Sequence, residues 1–262
     1  LGVSAGLKDT IDTYSAFGAT MSQVKAISGA TAEQMMDLNA KAKEMGATTK
    51  FTASEAGDAF TYMAMAGWKT EDMLNGIEGI MSLAAASGES LATTSDIVTD
   101  ALTAFGLTAK ESGHFADVLA VASSNANTNV SMMGETFKYV GAASGALGYS
   151  IEDVALGIGL MANAGIKASQ AGTELNSIFT RLGTNTNGAR DAIEDLGISF
   201  YKSDGSARAY GDVLRDLRAA TRNMTQEQKI NFANTVAGQR AQAGLLAMLN
   251  ATEADYNKLA KA

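Results

Sequence analysis

The sequence predicts an all-α protein: a multi-helix bundle of short helices that each end at a glycine. Proline, which breaks helix interiors, is absent from all 262 residues. Hydrophobic residues make up 46% of the chain but aromatic residues only 6%, so the core would consist mainly of Ala, Leu, Ile and Met. N-terminal capping patterns alternate with glycines along the chain, which is the order expected of successive helix starts and stops.

The first helices follow from apolar stripes and capping boxes. Residues 1–27 carry apolar side chains at steps of three and four, a seam close to that of a coiled coil. This seam would pair with copies of itself or pack on the helices that follow. Capping boxes at Thr31, Thr52 and Thr108 predict three further helix starts. We expect the helix that begins after Thr31 to end at Gly46.

The stretch 66–77 joins two predicted helices and contains the only tryptophan. Gly67 can close a helix in the left-handed conformation, and Thr70 is expected to cap the next helix with its hydroxyl oxygen. The two acids that follow suit the positive end of that helix. The residues assigned to this joint are Gly67, Trp68, Thr70, Glu71 and Asp72.

The same pattern returns 81 residues later, where Gly148 and Tyr149 correspond to Gly67 and Trp68. We interpret it as a diverged internal duplication, in which each copy is a helix, a Gly-aromatic turn and a second helix. Two copies are too few for a solenoid, so a pseudo-symmetric helical domain is the better interpretation. The residues assigned to the second joint are Gly148, Tyr149, Ser150, Glu152 and Asp153.

One small β-hairpin is predicted near residues 198–210. Residues 198–201 have strand character, and Asp204-Gly205 is a turn signal. A Thr/Asn/Gly run at 183–188 predicts a boundary before it. The predicted segments are 1–50 with amphipathic, coiled-coil-like helices, 51–182 as the duplicated helical core, and 183–262 as a helical region with the hairpin.

Charge is distributed unevenly along the chain. Residues 1–180 contain nine Lys, no Arg and nineteen acids, a net charge of −10, whereas residues 181–262 contain seven Arg, four Lys and nine acids, a net charge of +2. Either the arginine-bearing end meets an acidic partner or phosphate, or it is another domain with ordinary solvated faces. In the helix predicted at 212–222, we expect Arg215, Arg218 and Arg222 to face outward. The overall charge of −8 argues against nucleic-acid binding as the main task, and no sequence-specific nucleic acid is expected as a partner.

The residues predict no active site. His114 is the only histidine and cysteine is absent, so histidine metal clusters, thiolate sites and His-dependent triads lack their parts. The acid pairs Glu71-Asp72 and Glu152-Asp153 sit where helix N-termini favour carboxylates, which explains them without acid–base chemistry. We therefore expect no enzyme, no cofactor and no metal. Because the chain begins at Leu1 rather than Met, we expect a segment of a longer protein.

An alternative function arises from the apolar stretch 139–166, whose only charged residues in its interior are Glu152 and Asp153 at a turn. It has the outline of a helical hairpin that enters a bilayer. Each arm of roughly 14–16 residues would span about 21–24 Å, less than the ~30 Å hydrocarbon core, so buried core helices fit the length better. The residues assigned to this membrane-active hairpin are Val140, Leu147, Val154, Leu156, Ile158 and Leu160.

Several ordered stretches together resemble a known family. They are Ala42-Lys43-Glu44-Met45-Gly46, Thr49-Lys50-Phe51-Thr52-Ala53-Ser54-Glu55-Ala56, Ala64-Met65-Ala66-Gly67-Trp68, Ala84-Ala85-Ala86-Ser87-Gly88, Asp117-Val118-Leu119-Ala120, Ala162-Asn163-Ala164-Gly165-Ile166-Lys167, Gly197-Ile198, Ala237-Gly238-Gln239-Arg240-Ala241 and Leu245-Leu246-Ala247-Met248-Leu249-Asn250. In this order, over about residues 36–251, the chain resembles the conserved core region of phage tail tape-measure proteins, found in long-tailed phages and phage-tail-like particles.

The resemblance implies a structural role without catalysis. Members of the family occupy the lumen of the tail tube, set tail length during assembly and are released at ejection. The implied partners are further copies of the chain, typically three in all, the tail tube protein, tail-tip or baseplate hub proteins and tail assembly chaperones. The host membrane would join them at ejection if the apolar hairpin helps to form a channel for DNA. The implied location is the virion tail, with the host cytoplasm during assembly. Even one unbroken helix of this length would span only about 390 Å, and glycines divide it, so we expect a module rather than the whole ruler.

Overall fold

The computed structural model confirms the predicted all-α fold. The structure describes the backbone of residues 2–261 and the side chains of residue 12 and residues 14–261. Fourteen α-helices lie within these described residues. They are α1 (Gly2–Ser28), α2 (Ala32–Thr48), α3 (Ala53–Met65), α4 (Thr70–Ser87), α5 (Leu91–Phe105), α6 (Ser112–Asn125), α7 (Val130–Leu147), α8 (Ile151–Asn163), α9 (Ala168–Thr184), α10 (Asp191–Glu194), α11 (Tyr210–Thr221), α12 (Gln226–Ala237), α13 (Gln242–Asn250) and α14 (Glu253–Leu259).

Two of the three predicted capping boxes form. At Thr31 and Thr52 the hydroxyl oxygen accepts from the backbone N–H three residues on, and the side chain there accepts from the cap's own N–H. Thr108 makes no such cap, and a short 3₁₀ turn precedes α6 instead. The predicted end at Gly46 is wrong, because α2 continues to Thr48. A Cβ added at Gly46 would lie 2.5 Å from the nitrogen of Ala53, so this glycine permits the close approach of α2 and α3.

The chain divides into two compact units. The first comprises Leu1–Leu102 with Leu107–Asp117, and the second comprises Thr103–Gly106 with Val118–Ala262. Helices from the predicted 51–182 segment contribute to both units. The partition into segments 1–50, 51–182 and 183–262 stays a prediction.

In the first unit, α3 packs on α1 and α2. The seam of α1 contributes Phe17, Met21 and Val24 to the core, whereas Tyr14 on the same stripe is 74% exposed. The earlier seam positions 7 and 11 lie outside the described side chains. A Cβ at Gly57 of α3 would lie 2.8 Å from the Thr20 side chain, so the two helices meet there with little space between them.

In the second unit, α8 is the central helix, and α7, α9, α11, α13 and α14 pack around it. Every residue in 154–162 is buried. The flanking helices α7 and α9 run parallel. Thr136 donates to the Ala168 carbonyl oxygen at 3.0 Å near their starts, and Leu147 lies beside Gly183 near their ends.

The predicted hairpin is reduced to a bridged loop. A single antiparallel bridge joins Tyr201 and Ala207, and neither side extends into a strand. The Asp204 carboxylate accepts from the Ser206 backbone N–H at 2.9 Å and from its hydroxyl at 2.6 Å, which closes the turn. These hydrogen bonds hold the pKa of the Asp204 carboxyl below its ordinary value.

Candidate functional site: helix joints and charged helix clamps

The first joint rests on a close contact between Trp68 and Gly76. A Cβ at Gly76 would lie 2.2 Å from the indole Cζ3, so the half-buried ring occupies the space that a side chain would need. Thr70 is not the cap of α4, because the helix begins at Thr70 itself and this residue is buried. The cap position is Lys69, whose N–H donates to the Asp72 carboxylate at 3.2 Å. Asp72 therefore supplies the stabilising hydrogen bond at this helix start.

The second joint has a hydroxyl cap. Ser150 accepts from the backbone N–H of Asp153 at 3.1 Å, and Glu152 lies beside it in the first turn of α8. The Asp153 carboxylate in turn accepts from the Gly211 N–H at 2.7 Å, at the start of α11. One carboxylate thus lies at the positive ends of two helices, which both favour negative charge.

Tyr149 is buried at this joint. Its ring lies 4.9 Å from that of Phe179 and 5.6 Å from that of Tyr210, measured between centroids. Its hydroxyl has no hydrogen-bond partner within the described part of the chain. Burial raises the pKa of the Tyr149 hydroxyl, and the nearby Tyr210 and Asp153 add to the shift. The aromatic residue therefore acts through packing rather than through a polar contact.

Both joints share one pattern of backbone hydrogen bonds. Gly67 and Gly148 have φ of 85° and 71°, and each donates to the carbonyl three residues earlier, at 3.0 Å. The aromatic residue that follows donates to the carbonyl five residues earlier, the bonding of a Schellman motif. The same bonding occurs at Gly106-Leu107, Gly165-Ile166 and Gly197-Ile198. Because the motif is this chain's common helix ending, it does not by itself establish the duplication, which stays a prediction.

The surroundings of the joints differ. The α3 helix packs mainly on α1, whereas α7 packs mainly on α9. Trp68 covers a glycine of its own hairpin, whereas Tyr149 contacts rings from two other helices. The offset of 81 also pairs Ser150 with Lys69, so strict use of the repeat would have placed the first cap correctly.

Sequence reasoning missed a clamp on the apolar helix α13. The buried Glu174 accepts from the Gly244 N–H at 2.6 Å, in the first turn of α13, and from the Gln170 side chain at 2.9 Å. At the other end, Arg218 donates to the Met248 carbonyl at 2.8 Å. A carboxylate at the N-terminus and a guanidinium at the C-terminus complement the helix dipole. The available signal was an acid on the inward stripe of residues 169–182.

Three of the arginines that bias the second half of the chain bind carbonyl oxygens at helix C-termini. Arg181 donates to the carbonyls of Thr235 and Val236 at the end of α12. Arg190 donates to the carbonyls of Leu182 and Gly183 at the end of α9. Arg218 donates to the Met248 carbonyl near the end of α13. The expectation that Arg218 faces outward is wrong, because its side chain is only 6% exposed. Much of the arginine bias therefore has an internal structural use.

Most of the residues assigned to an apolar hairpin in the stretch 139–166 lie in the hydrophobic core of the second unit. Leu147 is half-buried. The other five residues assigned to a membrane-active hairpin are buried within the second unit: Val140, Val154, Leu156, Ile158 and Leu160. Among the helices that the structure describes, none combines the length and apolarity needed to cross a membrane. Across the same part of the chain, no three His, Cys, Asp or Glu side chains gather in a way that could hold a metal ion.

Comparison of the sequence with known proteins places the chain in a family of phage tail proteins. The profile described as phage-related minor tail protein matches residues 39–238, and the chain belongs to this family. A tape measure protein of Pneumococcus phage Dp-1 is 38% identical over 246 residues, which are 94% of this chain and 21% of the relative. A probable tape measure protein of Escherichia phage P2 is 25% identical over 264 aligned positions, 99% of this chain and 32% of the relative. The predicted resemblance is confirmed.

No solved structure matches the chain at a significant level. The chain spans about a fifth and about a third of the length of these two relatives.

Proposed function

We propose that this chain is a folded module of a tape-measure protein, which sits in the lumen of the tail tube, sets tail length during assembly and is released at ejection. The observation that carries the proposal is the family match at 39–238 together with the identity to two tape measure proteins. The compact packing of the two units indicates that this chain is not itself the length-setting part of the protein. The longest described helix, α1, has 27 residues and extends about 40 Å, far less than the ~390 Å of one unbroken helix of 262 residues. Long helical stretches elsewhere in the protein would set the length.

The proposed partners are those that the resemblance to tape-measure proteins implies. Further copies of the chain, three in all, the tail tube protein, tail-tip or baseplate hub proteins and tail assembly chaperones would contact the protein in the host cytoplasm or in the finished tail. We propose no catalytic role. A channel through the host membrane is not favoured, because five of the six residues assigned to the membrane-active hairpin are buried in the second unit.

An in-frame deletion of residues 39–238 in the phage tests the module role, with tail length measured by electron microscopy. We expect failed assembly, or tails of normal length that do not infect, because the deleted part is compact. The control is a deletion of the same number of residues from a long predicted helix outside this chain, which should shorten tails by about 300 Å at ~1.5 Å per residue. Equal shortening by both deletions would contradict the module proposal.

A further inference from the structure

The helix α3 of the first unit has one face that its neighbours leave uncovered. Glu55, Asp58, Tyr62 and Met65 follow one another at steps of three, four and three, so they lie along one side of the helix. Most of the other residues of α3 are buried, and the helix packs on α1, α2 and α4. The two acids are exposed, Tyr62 is half-buried and Met65 is 67% exposed. The open face is therefore acidic at one end and apolar at the other, over about 15 Å.

A cavity of about 600 Å³ lies over this face, within the first unit. Phe51, just before the helix, and Leu91, at the start of α5, line it together with the four residues of the open face. We call this surface the α3 groove. Its volume is in the usual range for binding pockets, roughly 300–1,000 Å³. Two aromatic rings, a leucine and a methionine give it an apolar lining, and the methionine can adapt its shape to a partner.

The two carboxylates of the α3 groove have only neutral hydrogen-bond donors among the described residues. Glu55 accepts from the Thr52 N–H at 2.7 Å and from its hydroxyl at 2.9 Å, and Asp58 bonds to the side chain of Thr20. Partial burial raises the pKa of the Asp58 carboxyl, and the negative charge of Glu55 raises it further. An ammonium or guanidinium group in the groove would stabilise both carboxylates.

The charge of the first unit also determines which partner fits. The unit contains seven Lys, no Arg and fifteen acids, a net charge of −8, which equals that of the whole chain. Lys50, next to the groove in sequence, donates to the Ala85 carbonyl at 3.2 Å. The same groove in a second copy belongs to an equally acidic unit, so two such surfaces repel each other. Charge complementarity therefore favours a basic partner.

We propose that the α3 groove binds an amphipathic helix of a partner protein, with Lys or Arg against Glu55 and Asp58 and an apolar side chain against Tyr62 and Met65. The centres of these two pairs are seven residues apart on α3, about 10 Å or two turns. A basic and an apolar residue seven positions apart on the partner helix reach both ends of the groove. Apolar contact supplies affinity and the charges supply specificity. The inference goes beyond the tail-length role and does not depend on it.

Synthetic helical peptides test the groove on the whole chain. Two peptides consist of alanine and glutamine apart from two Lys and two Leu at steps of three, four and three. The Lys pair precedes the Leu pair in one peptide and follows it in the other, because the groove accepts a helix in either direction. A third peptide carries Glu in place of Lys. At low salt, calorimetry should show a Kd below about 1 mM for at least one Lys/Leu peptide, and binding at least about tenfold weaker for the Glu peptide.

The double variant Asp58→Asn/Met65→Ala should weaken peptide binding at least about tenfold, because it removes a charge and an apolar contact from the groove. The matched control is Asp37→Asn/Met36→Ala on α2, where Asp37 is also exposed and Met36 is 66% exposed. This control should bind like the unmodified chain, and circular dichroism checks that both variants fold. The proposal is overturned if neither Lys/Leu peptide binds, if the Glu peptide binds equally well, or if both double variants weaken binding to the same extent.

Discussion

At the scale of single residues, the two aromatic joints show how a local signal acquires different uses. Trp68 fills the space left by Gly76, so the ring and the glycine form one packing unit. Tyr149 is held by two neighbouring rings while its hydroxyl stays unpartnered among the described groups. The first arrangement depends on a missing side chain, and the second tolerates a polar atom that contributes nothing.

Gly76→Ala should destabilise the first unit by about 1–3 kcal/mol, because the new methyl group overlaps the indole and forces it outward. Thermal melts followed by circular dichroism measure the loss. Fluorescence of Trp68, the only tryptophan, should shift to the red as the ring becomes wetter. Gly113→Ala is the control: its added Cβ meets nothing within 4 Å, so stability should hold or rise by up to about 1 kcal/mol. An unshifted spectrum in Gly76→Ala would contradict the packing role of Trp68.

Tyr149→Phe should raise the free energy of unfolding by about 1 kcal/mol, because it removes a buried hydroxyl without a partner and keeps the ring contacts. Urea unfolding measures the change. Tyr210→Phe is the comparison, since its hydroxyl contacts the Met248 sulfur at 3.3 Å and its removal should bring less benefit. A clear loss of stability in Tyr149→Phe would mean that the hydroxyl has a partner in solution, such as a buried water molecule.

At the scale of elements, polar and charged side chains from one helix form hydrogen bonds with the terminal backbone groups of another. The α9 helix supplies Glu174 to the start of α13, and Ser177 and Arg181 to the end of α12, where Ser177 donates to the Ala237 carbonyl at 3.2 Å. At the start of α13, a Cβ on Gly244 would lie 2.5 Å from the Met161 methyl group and 2.6 Å from the Glu174 carboxylate, so a larger residue there would displace these side chains. The corner between α12 and α13 is therefore held by one helix at both of its sides.

Glu174→Gln should lower the free energy of unfolding by about 1–2 kcal/mol, because an amide offers one acceptor oxygen where the carboxylate offers two, and carries no charge for the α13 dipole. The rate of hydrogen exchange should increase most at the backbone amides of the first turn of α13, including that of Gly244. Glu227→Gln is the control, an exposed acid in the first turn of α12 whose loss should change little. Equal effects of the two substitutions would show that burial of Glu174 adds nothing.

At the scale of the whole molecule, ionisation of buried tyrosines sets an upper pH limit on stability. Burial raises the pKa of Tyr149, Tyr210 and Tyr256 above the ordinary value of 10.0. Below that value both the folded and the unfolded chain keep these hydroxyls protonated. Above it the unfolded chain loses the protons first and is stabilised, so the folded state loses stability as the pH rises toward the raised values.

Urea unfolding should therefore show the free energy of unfolding falling between about pH 9 and about pH 11. The double variant Tyr149→Phe/Tyr210→Phe should show a smaller fall over the same interval, since it removes two of the three groups. Identical slopes for the variant and the unmodified chain would assign the loss to other groups, such as lysines.

The features that the sequence determined by itself are local ones, namely helix type and helix ends. The absence of proline, the hydroxyl caps at Thr31, Thr52 and Ser150, and the left-handed glycines all act within five residues, so helix type and most helix ends could be predicted. The ordered stretches that resemble tape-measure proteins were equally open to inspection. Two errors show how far such local prediction can be trusted. The cap of α4 lies at Lys69, one residue before the predicted Thr70. Gly46 does not end α2 but allows α2 and α3 to approach closely.

Only the tertiary structure decided which of these helices meet and which charges are buried. Glu174 and Gly244 are 70 positions apart, and Arg218 and Met248 are 30 apart. No local pattern specifies such pairs, because their energy depends on the packing that brings them together. The same holds for the apolar stretch 139–166, which composition left open between bilayer and core. Its second arm is α8, and the burial of that helix is set by neighbours from the rest of the second unit.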